Sequence, residues 1–354
     1  MKYQISTNEY IDYLFENSKK IIINNKSKIV FLSDTHMGNG GKNDDFNTNA
    51  HLFSQILKEQ YYPDNFTLLL NGDIEELQKF SLSEIRKKWL EIYTILDLFQ
   101  RKKRLIKTIG NHDAKIHLLP DFFKKYNHHD SIVLKYQNES IFVLHGHQFS
   151  TKFTKYNHLV GWILKYVAIP LGITNHSVAH NSRKKFKIEK RGYDYAAQKG
   201  IIAIIGHTHR PLFESMSKID TLKYQIEHLL RHLHEFKGKK REIHEEKIRK
   251  YNKEIQNHSN IRSSQYPQDR LYSSDVILPN LFNSGCVIGK RGLTALEIED
   301  GSISLVHWIE KSFLLNYEDI DAYDIKRFEN QPYVKITIKK EPLSYIFNKI
   351  RLLR

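Results

Sequence analysis

Five short polar stretches supply side chains of the types that bind divalent cations: DTH (Asp34, His36), GD (Asp73), GNHD (Asn111, His112, Asp113), HGH (His145) and GHTH (His207, His209). They offer carboxylates, an amide oxygen and imidazoles, with no thiolate. That mixed nitrogen and oxygen set suits borderline or moderately hard divalent ions, Mn first, with Fe, Zn or Co as alternatives. One ion does not need so many donors. Two adjacent ions do, and a bridging carboxylate would hold them about 3.5–4 Å apart, the separation that clamps an in-line phosphoryl displacement. The spacing in DTH and GHTH reads as extended backbone, where alternate residues point the same way. Asp34 and His36 then reach one ion, while His207 and His209 can be divided between neighbours. Gly72, Gly110, Gly146 and Gly206 permit tight turns and close approach of backbone to the site. A solitary Asp, His or Asn at a strand end is more often a turn or cap residue; five such motifs in series point to a site.

The elements that must position these residues are visible around them. KIVFLSD, FTLLLNGD, RLIKTIGNHD, SIFVLHGHQ, IIAIIGHTH and NLFNSG are runs rich in β-branched and aromatic residues, each closing on polar ones, and read as buried parallel or mixed strands. Helical stretches lie between the first strands: NAHLFSQILKEQ, and SEIRKKWLEIYTILDLFQRKK, whose Ile85, Trp89, Ile92, Ile95, Leu96 and Phe99 share one stripe. This alternation indicates an α/β fold with the motifs gathered at one common strand edge, where ligands bind.

Residues 1–330 read as one domain carrying two insertions. The first, 150–199, is a helical lid holding the apolar run HLVGWILKYVAIPLGIT and the basic run NSRKKFKIEKRG. In the second, 217–260, Leu222, Ile226, Leu229, Leu233 and Phe236 form a narrow seam, Gly238 breaks the helix, and a charged second helix folds back as a solvated arm. The tail 331–354 reads as a strand followed by a basic amphipathic helix.

Lys and Arg number 55 against 40 Asp and Glu, a net charge of +15, which favours an anionic partner: phosphate, nucleic acid or an acidic membrane. Cys286 is the single cysteine, so the chain forms no internal disulfide and suits a reducing compartment. The first residues do not read as a signal peptide, and the expectation is a cytoplasmic protein. The longest apolar run is broken by Lys165 and Pro170 and falls short of the roughly 20 residues of a bilayer span; it suits a covering helix or one dipping into the inner membrane face.

The ordered series DTH, GD, GNHD, HGH, GHTH resembles the calcineurin-like metallophosphoesterase superfamily, over a block from about Lys28 to Lys115 and then the strands around His145, His207 and Asn283. The resemblance implies a four-layer α-β-β-α sandwich, two mixed sheets between helices, in place of a single sheet. It implies that Asp34, His36 and His209 hold one metal and Asn111, His145 and His207 the other, with Asp73 bridging. The implied reaction is hydrolysis of a phosphomonoester, phosphodiester or pyrophosphate by a hydroxide between the ions. His112 would protonate the leaving oxygen rather than bind metal. Glu76, or else Asp113, would orient its imidazole.

GDIEE, GNHD, the insertion before GHTHRP and the later LFNSG are together similar to the bacterial branch that includes UDP-2,3-diacylglucosamine pyrophosphohydrolases. Those enzymes cleave a lipid-linked pyrophosphate at the membrane surface; this chain departs from them in having His112 in place of Arg and His147 in place of Asp. The expected substrate is lipid-linked or nucleotide-like. Trp162, Ile163, Val167, Ile169 and Leu171 would meet acyl chain or lipid, and Arg183, Lys184 and Lys185 the phosphate. His176 and His180 read as surface or substrate contacts. A nuclease of the same superfamily and a non-catalytic scaffold are the competing functions, and the oligomeric state is left open.

Overall fold

All four side chains of the strand Ile29–Leu32 are buried, yet they enter two different cores. Val30 and Leu32 pack among helix residues such as Phe53, Ile92 and Leu96, whereas Ile29 and Phe31 pack among strand residues such as Ile132, Val143 and Ile204. Successive side chains of a strand face opposite ways, so a strand with no polar alternation must be covered on both faces. The computed structural model describes residues 7–150, 182–213, 222, 226, 229–230, 233–263, 278–317 and 322–354. They fall into two units, Met1–Glu214 with Pro279–Arg354, and Ser215–Leu278.

In chain order the strands are β1 (Lys19–Ile23), β2 (Ile29–Leu32), β3 (Thr67–Asn71), β4 (Leu105–Thr108), β5 (His128–His129), β6 (Ser131–Tyr136), β7 (Glu139–Leu144), β8 (Ile202–Ile205), β9 (Leu281–Asn283), β10 (Leu293–Glu299), β11 (Ser302–Glu310), β12 (Asp324–Arg327) and β13 (Tyr333–Pro342). One sheet has the order β12-β13-β11-β10-β2-β3-β4-β5, the other β1-β6-β7-β8-β9. Strands β2 to β5 are parallel, and β10 joins β2 antiparallel. In the smaller sheet only β6 and β7 run antiparallel.

The two sheets share one core. Helices cover the outer face of the larger sheet, and Ile11, Ile188, Tyr195 and Ala196 from two further helices pack on Phe142, Leu144, Ala203 and Ile205 of the smaller. The result is a four-layer sandwich of two mixed sheets, not the single sheet that strand and helix alternation alone suggests.

The helical stripe expected after the GD motif is two helices, Leu82–Lys88 and Leu90–Arg101, broken at Trp89, where φ is −102° and ψ 35°. The break lets the indole N–H donate to the Gly38 carbonyl at 2.9 Å, while Ile85, Ile92, Ile95, Leu96 and Phe99 stay buried. The C-terminal strand β13 pairs with β11, and the helix Leu343–Leu353 adds Leu343, Ile346, Phe347 and Ile350 to the inter-sheet core. Both therefore belong to the larger unit.

Within the second unit, Gly238 has φ +56° and precedes the helix Lys239–Ser263. The Phe236 ring stacks on His244 at 4.1 Å. Most of the expected lid, including Trp162, Ile163, Val167, Ile169, Leu171, His176 and His180, lies outside the described residues; from Ser182 to Lys199 the chain is helical. Among the described residues no helix is long and apolar enough to cross a membrane.

Candidate metal centre

Strands β2, β3 and β4 of the larger sheet end just before DTH, GD and GNHD, and β7 and β8 of the smaller end just before HGH and GHTH. All five are buried strands, so their C-terminal ends bring ten or so polar side chains to a shared edge from two sheets at once.

The backbone that aims these side chains is not extended. Asp34, His36, Asp73, His207 and His209 have φ of 55°, 48°, 53°, 63° and 54°, all left-handed. The extended alternation expected for DTH and GHTH is therefore replaced by a tightly turned path, which costs roughly 1–2 kcal/mol per residue outside glycine. Cross-strand bonds hold that path: Asp34 N–H donates to Gly72 O at 3.1 Å, His36 N–H to Asp73 O at 3.0 Å and Met37 N–H to Ile74 O at 2.9 Å. Two glycines make room for it. A Cβ on Gly110 would land on the Asp73 carboxylate, and one on Gly206 would lie 2.7 Å from Asp34 Oδ2.

Two groups of ligand-type atoms result. Asp34 Oδ1 is 3.1 Å from His209 Nε2 and 3.9 Å from His36 Nε2, and the two Nε2 atoms are 3.2 Å apart. Asp73 Oδ2 is 3.1 Å from His145 Nε2, and His145 and His207 have ring centres 5.1 Å apart. Within each of the sets Asp34, His36, His209 and Asp73, His145, His207, one ligand atom per residue lies within 4.8 Å of the others. Asp73 Oδ2 also sits 3.9 Å from His36 Nε2, so it faces both sets.

Each carboxylate is anchored by one oxygen and open at the other. Asp34 Oδ2 accepts from His207 N–H at 3.0 Å and Asp73 Oδ1 from His112 N–H at 2.8 Å. His145 donates from Nδ1 to Asn71 O at 2.8 Å, which leaves the Nε2 lone pair facing inward. Asp34 Oδ1, Asn111 Oδ1 and His145 Nε2 are buried and make no hydrogen bond. Buried polar atoms are nearly always satisfied, so these atoms, with Asp34 Oδ1 and His145 Nε2 only 3.9 Å apart, fit divalent cations as their missing partners.

The charges point the same way. Burial opposes ionisation of Asp34, but His209 and His145 hold its carboxyl down at about 2. Burial likewise opposes charge on His145, yet Asp73 and Asp34 push it up to about 10. Burial, reinforced by His145, drives His207 down to about 3. The two buried carboxylates thus draw positive charge to this place.

A third cluster, His36, Glu76 and His112, is of a different kind. Glu76 Oε2 accepts from His112 Nδ1 at 2.8 Å and lies 3.4 Å from His36 Nδ1, so the nitrogens facing it are donors, not metal ligands. Glu76 is thus the partner of His112. Asp113 is not: its oxygens accept from the amides of Gly110 at 2.6 Å and Ile74 at 2.8 Å, tying the GNHD loop to the GD loop. Burial works against protonation of His112, but Asp73 and Glu76 push it up to about 9.

Arg183, Lys184 and Lys185 fall in the first turn of the helix Ser182–Lys199; the side chains of the first two lie outside the described residues, and Lys185 is half-buried. Sequence reasoning missed the supports of the GHTH loop. Asn283, at the end of β9, donates to Gly206 O at 3.0 Å and Thr208 Oγ1 at 2.9 Å, and Glu189 reaches Thr208 from the other side. The polar close of NLFNSG was the available signal for Asn283; Glu189 stands in a basic run with none.

Residues 27–211 match the family model described as Calcineurin-like phosphoesterase. No curated protein matches the chain.

Proposed function

Because the chain belongs to the calcineurin-like phosphoesterase family, we propose that it is a dinuclear-metal-dependent hydrolase of phosphoric esters or pyrophosphates. Asp34, His36 and His209 would hold one ion and Asn111, His145 and His207 the other, with Asp73 between them. The observation that carries this reading is a set of buried ligand atoms without a hydrogen bond: Asp34 Oδ1 and His145 Nε2, 3.9 Å apart, and Asn111 Oδ1. Bound divalent ions, Mn first and Fe, Zn or Co as alternatives, supply charge neutralisation for phosphate oxygens and acidify water.

The remaining chemistry falls to side chains of this chain. His112 donates a proton to the leaving oxygen from Nε2, because Glu76 occupies Nδ1. The Nε2 atom lies 4.0 Å from Asp73 Oδ2, beside the proposed bridge. Burial of Asp34, Asp73 and His145 excludes water from the ligand side and strengthens each electrostatic contact.

For substrate we propose a lipid-linked or nucleotide-like small phosphate compound, as in the branch that includes UDP-2,3-diacylglucosamine pyrophosphohydrolases, with the chain in the cytoplasm and in peripheral contact with the inner membrane face. The net charge of +15 also favours a second reading, a metal-dependent nuclease. Purified protein with Mn, screened against phosphomonoesters, phosphodiesters, nucleotide and lipid-linked pyrophosphates and nucleic acid at two salt concentrations, separates the two. Preference for a small pyrophosphate supports the first; hydrolysis of DNA or RNA with steep salt dependence supports the second; hydrolysis of none contradicts both.

A further inference from the structure

The helix Ser182–Lys199 touches both ligand loops of the smaller sheet within a single turn. Arg191 Nη1 donates to Phe149 O at 3.0 Å, beyond the HGH motif. Glu189 faces the GHTH loop: its Oε1 accepts from Thr208 Oγ1 at 2.8 Å and from Arg210 Nε at 3.1 Å, and its Oε2 pairs with Arg210 Nη2. Thr208, flanked by His207 and His209, is fully buried, and its hydroxyl also accepts from Asn283. The loop is therefore clamped between a helix on one side and β9 on the other.

This arrangement is costly unless it does something. Glu189 is only 4% exposed, and a buried carboxylate is tolerated only when paired and hydrogen-bonded. Its partner Arg210 is 47% exposed, so the ion pair itself adds little stability, but it fixes the geometry of the loop. The helix that presents it is rigidly seated: Ile188, Tyr195 and Ala196 are buried against the smaller sheet, and Gly192 packs so closely on Phe149 and Leu281 that an added Cβ would come within 3.3 Å of each. His207 and His209 both adopt left-handed backbone, so their side-chain directions depend on what restrains the residue between them.

We propose that Glu189 is a positioning residue for the metal centre, holding His207 and His209 at their ligand spacing through Thr208 and Arg210; this rests on the metal-dependent reading above. Partners that orient ligands from outside the coordination sphere commonly set metal affinity by 10- to 100-fold. The test uses the full chain, stripped with chelator and titrated with Mn by calorimetry, alongside its Tm without metal. Glu189→Gln keeps the shape and removes the charge; Thr208→Val keeps the shape and removes the hydroxyl, and carries the same test if the buried carboxamide destabilises the fold. The expected result is Mn affinity lowered at least about tenfold in both variants, with activity restored by excess Mn. Mn affinity within twofold of wild type in the two variants, with only the metal-free Tm lowered, would overturn the inference and leave the metal-dependent reading intact. A wild-type chain that binds no Mn would overturn that reading and this inference with it.

Discussion

Glu76 stands between two imidazoles, accepting from His112 Nδ1 at 2.8 Å and facing His36 Nδ1 at 3.4 Å. One carboxylate thus turns the Nε2 of a proposed metal ligand and the Nε2 of a proposed acid toward the same space. Glu76 can do so because burial, which would raise its carboxyl, is outweighed by the two histidines, which hold it at about 2.

Removing His112 tests the acid directly. His112→Gln is expected to lower kcat by about 10²–10⁴-fold, the usual range for general acid catalysis, while leaving Mn stoichiometry unchanged by calorimetry. Loss of bound metal in this variant would place His112 among the ligands instead.

The pH profile tests the link between the pair. Asp73 and Glu76 push His112 up to about 9 against the effect of burial, and an acid is competent only below its pKa. Activity limited by His112 therefore holds at neutral pH and falls on the alkaline side. Glu76→Gln removes one of the groups favouring the charged ring, so the alkaline limb of kcat, measured at saturating Mn, should move to lower pH. An unmoved limb would mean that Glu76 does not govern His112.

Lys107 is wholly buried with Glu75, which also accepts from Tyr93 at 3.1 Å. Lys107→Met leaves that carboxylate uncompensated and is expected to cost about 3–5 kcal/mol. Adding Glu75→Gln should recover much of it, since a neutral amide pays no charge desolvation. Urea midpoints of both single variants and the double decide the matter; losses that simply add would show that the pair is not coupled.

His128 predicts an acid-sensitive fold. Burial, helped by Lys107, depresses its pKa to about 2, against about 6.5 in the unfolded chain. Between those values the unfolded state binds the extra proton, so this stabilisation is complete above about pH 6.5 and is lost as pH falls. From pH 7 to 5 the loss from this residue is about 2 kcal/mol. His128→Gln should show a correspondingly shallower fall in urea midpoint over that range, and an identical fall would contradict the assignment.

The loops around the candidate site were legible because each combines a run of buried β residues with donor side chains adjacent in sequence. Asp34 and His36 follow IVFL, and His207 and His209 follow IAII. The left-handed backbone at those residues was not legible, since Asp and His carry no obligatory mark of it as glycine does. Period alone could not show the break at Trp89, because the apolar stripe continues in phase across it. Glu76 and Asp113 were indistinguishable as partners of His112 until the fold turned one toward the ring and the other toward two amides. Glu189 was invisible because its partners, Thr208 and Arg210, are about twenty residues away and meet it only through packing.

The central claim is that Asp73 joins two ions into one hydrolytic centre. Titrating chelator-stripped chain with Mn, while following hydrolysis of bis-p-nitrophenyl phosphate, tests it in wild type and in Asp73→Asn. The account predicts two Mn per wild-type chain with activity that requires both, and in Asp73→Asn fewer bound ions and hydrolysis at background. Full activity or undiminished two-ion binding in Asp73→Asn would contradict it.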